Sequence, residues 1–193
     1  VRTQTMIDGL EKAANFIAES VKGKKRNQRI TIELPSTTIR KIRNVLGRNF
    51  DSHNITANSI VHAKKNHGIG GNKITNNSIP LRDEDFSLAP YIMTAPDVVE
   101  KGSMDASGRE SIRFKKNLSN GYAVVVEKEQ KNSPDDMETI TMWAELSSSN
   151  VSDARTKIRP LSSTSQPANE YRKTNARTVI ISSDDAAKIR KDA

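Results

Sequence analysis

Two histidines and two lysines stand close together in the segment His62-Ala-Lys-Lys-Asn-His67-Gly68. Histidine can give or take a proton near neutral pH, and lysine can stabilise the charge that develops on a phosphate during cleavage. Because Lys65 follows His62 by three residues, both are expected on one face of a helix. The segment therefore carries groups suited to acid–base chemistry on a phosphate ester.

The spacing of these histidines does not favour a metal site. Two histidines that share a metal on a helix are four residues apart, whereas His62 and His67 are five apart. The chain has no cysteine, which excludes disulfides and thiolate ligands. We expect neither a metal nor a cofactor. A structural alternative stays open, in which His67 stabilises the helix C-terminus and His62 is a half-buried packing residue.

The first part of the chain is predicted to be helical. Apolar spacing predicts an amphipathic helix over residues 4–22, followed by an exposed basic linker, Lys22-Gly-Lys-Lys-Arg-Asn-Gln-Arg29. After a strand at residues 29–34, Pro35 opens a second helix that Gly47 ends. A third helix runs from about Thr56 to His67, with Ile60 and Val61 inward and Gly68 as the C′ residue.

The second part is predicted to form a sheet. A Gly- and Asn-rich loop over residues 68–79 leads to a short helix that starts at Asp83 and is limited by Pro90 and Pro96. Strands are expected at residues 110–116, 121–127 and 139–146, with a hairpin turn at Asn120-Gly121 and a polar loop over residues 128–136. These patterns predict an α+β fold, with N-terminal helices before an antiparallel sheet.

The domain organisation follows from these patterns. Residues 1–28 form the helix and basic linker, residues 29–146 the main α+β domain, and residues 147–193 a polar C-terminal extension. In the extension only residues 177–181 look structured. A chain that begins with Val1 rather than Met is expected to be a piece of a longer protein.

Charge and composition narrow the classes of partner. Only 34% of the residues are hydrophobic and 4% aromatic, so the core is expected to be modest and aliphatic. No apolar run is long enough to cross a bilayer, and we expect no membrane partner. The net charge is +8 and the pI about 9.7. Residues 1–50 hold 11 Lys/Arg against 4 Asp/Glu. This excess favours a polyanion such as nucleic acid, although solvated basic arms explain it equally well.

Several segments, taken in order, resemble a known family. Ile30-Thr-Ile-Glu-Leu, Ile42-Arg-Asn-Val-Leu-Gly47 and Ile60-Val-His62-Ala-Lys-Lys65-Asn-His67-Gly68 are similar to the strand, helix and histidine motif of phage-associated nuclease domains. Those domains belong to the barnase–EndoU–colicin–RelE (BECR) superfamily. Leu81 to Gly102, Ile112-Arg-Phe-Lys115, Tyr122-Ala-Val-Val-Val-Glu127 and Thr139-Ile-Thr141-Met142 resemble its later segments. The resemblance covers residues 29–146. It departs at Ala63, where the family has a bulky apolar residue, and in the long loop after Gly68.

The resemblance implies a metal-independent ribonuclease in which the ribose 2′-OH attacks the adjacent phosphate. His62 and His67 would supply the base and the acid, and Thr141 would donate a hydrogen bond to the phosphate. Lys65 or Lys115 would hold phosphate oxygens, and Lys64, Arg113 and Lys115 would bind nucleic acid. Glu127 and Glu145 are alternative acid–base residues that the sequence does not place near the histidines.

The family context also suggests partners and a location. RNA would be the substrate, with tRNA as one candidate, and an immunity or antitoxin protein a further partner. As part of a phage or mobile-element protein or a toxin, the domain would act in the cytoplasm or be delivered there by a phage or secretion system.

Two other function classes remain open. A non-catalytic nucleic-acid or protein-binding module could retain the fold. The low aromatic content supports this interpretation, since single-strand binders usually stack bases on aromatic side chains and this chain has few. An enzyme on another substrate, such as an ADP-ribosyltransferase, is the second. The cluster Gly68-Ile-Gly70-Gly71 does not support dinucleotide binding, because it follows a helix rather than a strand.

Overall fold

The computed structural model describes residues 4–50, 52–74, 78–130, 136–147 and 181–193. The described α-helices are α1 (Gln4–Val21), α2 (Ser36–Leu46), α3 (Ala57–His67), α4 (Ala89–Thr94) and α5 (Ser183–Asp192), with a 3-10 helix at Asp83–Leu88. The described strands are β1 (Arg29–Ile32), β2 (Ser52–Thr56), β3 (Ser78–Ile79), β4 (Val98–Lys101), β5 (Ser111–Asn117), β6 (Tyr122–Gln130) and β7 (Asp136–Leu146). Helices followed by a mostly antiparallel sheet confirm the predicted α+β class.

The strands form one sheet in the order β1-β2-β7-β6-β5-β4. β6 lies in the middle, as its apolar run predicts, and residues 123–126 are buried. β2 pairs in parallel with the first residues of β7, while β3 pairs antiparallel with its last residues. α3 lies in the chain between β2 and β3, and it packs against β7.

α1 is part of the same core as the sheet. Its residues Ala13, Phe16, Ile17 and Val21 belong to the buried cluster that includes Phe86, and α1 packs against α3 and the 3-10 helix. The amphipathic face predicted for residues 4–22 is therefore buried within the molecule. α2 begins after Pro35 and ends at Gly47, which has φ 74°, as the sequence predicts.

Several predictions about elements were wrong. Val61 is 43% exposed rather than inward. Pro90 lies in the first turn of α4, where its missing N–H costs nothing, so it does not limit a helix there. Lys128 belongs to β6, because this strand continues to Gln130 through a register shift after Glu127. β2 and β4 were not predicted, and β3 lies within the predicted loop over residues 68–79.

The C-terminal extension contains an unpredicted helix, α5. Ser182 caps it by accepting a hydrogen bond from the Asp185 backbone N–H (3.0 Å). The Asp185 carboxylate also accepts hydrogen bonds from the backbone N–H and hydroxyl of Ser119, at 3.0 and 2.8 Å. These bonds join α5 to the β5–β6 turn. Most of the segment expected to be structured, residues 177–180, lies outside the described residues.

Candidate active site

His67 is held at the point where α3 ends and the chain turns towards β3. The predicted helix end is confirmed, but Gly68 has φ −76° and ψ 176°, so it is extended rather than left-handed. Glycine is required there because a Cβ would lie 2.6 Å from the Lys64 carbonyl oxygen. The Leu81 N–H donates to the His67 carbonyl (2.8 Å), and the Lys73 N–H donates to that of Asn66 (2.9 Å). The returning loop thus fixes the end of α3 on both sides.

The His67 ring faces β7 and carries an unused polar atom. Its centroid lies 6.0 Å from that of Trp143, with the rings tilted by 35°. Its Nδ1 is buried and has no hydrogen-bond partner within the described part of the chain. Burial lowers the pKa of His67 below 6.5, and electrostatic interactions with Lys73 and His62 lower it further. The imidazole is therefore neutral at pH 7, the state in which it accepts a proton.

β7 presents a second unused polar atom on the strand face that carries Trp143. Thr141, Trp143 and Glu145 alternate along the strand and so share one face of the sheet. The Thr141 Oγ1 is buried and, among the described residues, has no partner. Trp143 Nε1 donates to Glu145 Oε2 at 2.7 Å, which fixes the indole between His67 and its strand neighbours.

Arg113 and Glu127 lie across the sheet from Thr141. The register aligns Arg113, Glu127 and Thr141 on β5, β6 and β7. The Arg113 Nε lies 3.2 Å from Glu127 Oε1, and its guanidinium carbon lies 5.4 Å from the centroid of the Trp143 ring. This arrangement brings a carboxylate and a cation to the face that carries Thr141 and Trp143.

Glu127 is the functional candidate that the sequence could not place. It is 7% exposed and also accepts a hydrogen bond from Ser111 Oγ (2.7 Å). The chain passes directly over the carboxylate at Gly102, where a Cβ would lie 2.5 Å from Glu127 Oε1. The only sequence signal for this contact is Gly102 itself, because a glycine can mark a place where the backbone passes close to another group.

Lys115 lies on the same face, but two carboxylates neutralise it. Its Nζ is 2.8 Å from Glu100 Oε1 and 2.9 Å from Glu145 Oε1. Burial alone would lower the pKa of Lys115, but hydrogen bonds to Glu100 and Glu145 raise it above its ordinary value. Burial favours a higher pKa for Glu145, and the bonds from Trp143 and Lys115 outweigh this and lower it. Both groups stay charged at neutral pH.

The comparison with protein families agrees with this architecture. The model of the family described as phage-Barnase-EndoU-ColicinE5/D-RelE like nuclease3 (PBECR3) matches residues 22–150, more than half of the chain. The chain belongs to the PBECR3 family. The resemblance seen in the sequence is thereby confirmed, and the PBECR3 domain is nuclease-like. No curated protein and no solved structure gives a significant match.

The other predicted site residues of the PBECR3 domain lie on the outer surface of α3. His62 is exposed, and its Nε2 accepts a hydrogen bond from Asn66 Nδ2 (2.8 Å). Lys64 binds Asp83 (2.8 Å) and the Val21 carbonyl (3.3 Å), so it joins elements of the core. Lys65 is exposed. The structure brings His67, Thr141, Arg113 and Lys115 to one region, whereas His62 lies apart from them on the exposed surface of α3.

Two absences apply to the described part of the PBECR3 domain. There, no group of three or more His, Asp or Glu side chains is arranged to hold a metal ion. No described helix is long and apolar enough to cross a membrane.

Proposed function

We propose that this PBECR3 domain is a metal-independent ribonuclease in which the ribose 2′-OH attacks the adjacent phosphate. The observation that carries the proposal is a pair of buried polar atoms that have no partner among the described residues. His67 Nδ1 belongs to the ring that lies 6.0 Å from Trp143, and Thr141 Oγ1 belongs to the residue two positions before Trp143 on the same strand face. A buried polar atom without a partner costs on the order of 1–3 kcal/mol, so such atoms at one site indicate a ligand that satisfies them.

The roles follow from charge and hydrogen-bonding capacity. Neutral His67 takes the proton of the 2′-OH as its oxygen attacks phosphorus, and the bond to the 5′-oxygen breaks. Thr141 donates a hydrogen bond to a phosphate oxygen, and Arg113 stabilises the charge that develops there. The leaving 5′-oxygen takes its proton from water, because His62 lies on the outer surface of α3, away from this face. The products are a 2′,3′-cyclic phosphate and a 5′-hydroxyl.

Glu127 is the second candidate for the base. Its carboxylate already accepts bonds from Ser111 and Arg113 and faces Thr141 across the strand pair. With Glu127 as base, His67 would have to bind a phosphate oxygen or protonate the leaving group. The pH dependence separates a basic from an acidic role of His67: as base, kcat/KM falls as the pH drops through its pKa below 6.5, whereas as acid, kcat/KM falls as the pH rises through that same pKa.

The test is cleavage of end-labelled single-stranded RNA in EDTA. We expect the wild type to leave a 2′,3′-cyclic phosphate and to spare the same sequence made as DNA. Loss of an acid–base group costs on the order of 10²–10⁴-fold, so His67→Ala should lose at least about 10²-fold. Intact RNA at high protein concentration, equal cleavage of DNA, or full activity in His67→Ala would each reject the proposal.

A non-catalytic nucleic-acid-binding module is the second candidate function. The observation that favours it over catalysis is that the cations of the site are already held in ion pairs, which leaves them less able to stabilise the charge that develops on a phosphate. Two cations, Arg113 and Lys115, stand among three carboxylates, Glu100, Glu127 and Glu145. Binding of RNA without cleavage under the same conditions would favour the module.

A further inference from the structure

The sheet face around Trp143 does not by itself attract a polyanion. Its carboxylates outnumber its cations, and Arg113 and Lys115 are both held in ion pairs. RNA binding depends largely on cations that contact backbone phosphates. A domain that acts on RNA at this face therefore needs a second, basic surface next to it.

The connector between α1 and β1, residues 22–28, is such a surface. Lys22, Lys24 and Arg26 are exposed, and none of them forms an ion pair with another described residue. Lys25 is the paired member, 3.1 Å from Glu19. The sequence supplied this basic run without showing whether it is a loose arm or part of a structured surface.

The connector is folded into tight turns. Gly23 has φ 77° and Asn27 has φ 57°, both in the left-handed region. The backbone N–H groups of Gly23 and Lys24 donate to the carbonyls of Ser20 and Glu19, at 2.8 and 3.0 Å. The N–H of Gln28 donates to the Lys25 carbonyl at 3.3 Å. Its charges are consequently held in place before any ligand binds, which reduces the entropy lost on binding.

The connector also runs alongside α3. At one end the Lys64 side chain donates to the Val21 carbonyl (3.3 Å). At the other end the Asn58 side chain donates to that of Asn27 (3.2 Å), and the Ala57 N–H donates to the Gln28 carbonyl (2.9 Å). The exposed Lys65, in the last turn of α3, extends this surface along the outer side of the helix to its C-terminal end.

Lys22, Lys24, Arg26 and Lys65 together form what we call the basic surface. The acidic side chains at its border are already engaged, since Glu19 pairs with Lys25 and Asp83 with Lys64. Beyond Lys65 the exposed Lys73 continues the positive charge, and it lies close enough to His67 to lower its pKa. Cations that have no ion-pair partner among the described residues therefore extend from the connector to the end of α3 that carries the candidate base.

We propose that the basic surface binds the sugar–phosphate backbone of single-stranded RNA and leads the strand to His67 and Trp143. This inference rests on the proposed ribonuclease function. The basic surface carries no aromatic side chain, so it contacts backbone phosphates and does not stack on bases. Trp143 is then the one aromatic of the described site that can stack a base, and sequence preference is confined to the nucleotides beside it.

The test measures binding of a short 2′-O-methyl RNA oligonucleotide, which cannot be cleaved by 2′-OH attack, between about 50 and 200 mM NaCl. The variant is Lys24→Gln with Arg26→Gln. The matched control is Arg40→Gln with Arg43→Gln, which removes the same charge from exposed positions on α2, a helix that packs against β4. Each phosphate contact on a single strand contributes about 0.7 to the salt slope. We expect the connector variant to lose about tenfold in affinity and about 1.4 in slope, and the control to bind like the wild type.

Three results would overturn the inference: no binding by the wild type, unchanged binding by the connector variant, or equal losses in variant and control. A membrane role would appear as binding to phosphatidylserine vesicles that the connector variant loses while it keeps RNA affinity, and this too would overturn it. Failure of the ribonuclease proposal is distinguishable. In that case the wild type binds the oligonucleotide with the expected slope but leaves unmodified RNA intact.

Discussion

Thr141 and His67 contribute hydrogen-bonding atoms that the described fold does not use. Folding buries Thr141 Oγ1 and His67 Nδ1 without giving either a partner. A threonine in a central strand is ordinarily explained by β propensity, but valine would serve that purpose without the cost of an unpaired hydroxyl. The hydroxyl therefore points to binding rather than to stability.

Replacing Thr141 by Val separates these two explanations. The substitution keeps the shape and removes the unpaired hydroxyl, so we expect the free energy of unfolding to stay equal or rise by about 1 kcal/mol. Loss of one phosphate-binding donor should lower the rate of RNA cleavage on the order of 10²-fold. Urea denaturation and single-turnover cleavage measure the two effects. A stability loss with full activity would show that the hydroxyl has a structural role.

At the scale of elements, the end of α3 decides where His67 points. The helix ends where Gly68 passes within van der Waals distance of the Lys64 carbonyl, and the Leu81 N–H then holds the His67 carbonyl. No other residue type fits, because the obstacle is backbone rather than a flexible side chain. The position of the base thus depends on a neighbouring glycine that does no chemistry itself.

Gly68→Ala tests this dependence, with Gly9→Ala as the matched control. A Cβ at Gly68 would meet the Lys64 carbonyl at 2.6 Å, so we expect a loss of about 1–3 kcal/mol in stability and a drop in cleavage. A Cβ at Gly9 of α1 meets nothing within 4 Å, and alanine there should stabilise the helix by about 1 kcal/mol. Thermal unfolding and cleavage rates check both. An unchanged Gly68→Ala protein would contradict the close approach.

At the scale of the whole molecule, the core contains a histidine that the site does not use. His53 in β2 is 2% exposed. Lys128 is fully buried nearby and donates to the Asn54 carbonyl (3.0 Å). Burial, and secondly the Lys128 cation, lower the pKa of His53 from 6.5 to about 3. His53 is therefore a neutral core residue at pH 7.

This shift makes the stability of the molecule depend on pH. Between pH 6.5 and about 3 the unfolded chain binds a proton at His53 that the folded chain does not. Stability should fall as the pH drops through this window, by up to about 1.4 kcal/mol per pH unit from this group. His53→Leu should remove that part of the slope in urea titrations between pH 6.5 and 4.5. The exposed control His62→Leu should keep it, and an unchanged slope in His53→Leu would contradict the assignment.

The sequence by itself determined two things. It identified the elements whose apolar residues recur at a clear helical or strand spacing, and it identified the family. The buried face of α1, the limits of α2 at Pro35 and Gly47, and the three long strands follow from side-chain periodicity and turn residues, which are local properties. The ordered segments were sufficient for the PBECR3 resemblance. The same reasoning missed β2, β3 and β4. β2 buries the successive residues His53, Asn54 and Ile55, β3 has only two residues, and β4 has no buried residue, so none of them shows the alternation of a half-buried strand.

Only the tertiary structure decided which residues share the candidate site. The sequence signal at Asn120-Gly121 suits a two-residue turn, but the loop has three residues, since the Leu118 N–H donates to the Tyr122 carbonyl and Gly121 takes φ 84°. A shift of one residue moves every side chain to the other face of the sheet. The observed register places Glu127, rather than Lys128, between Arg113 and Thr141. The packing of α3 against β7 is also a tertiary contact. It places His67 next to Trp143 and leaves His62 exposed.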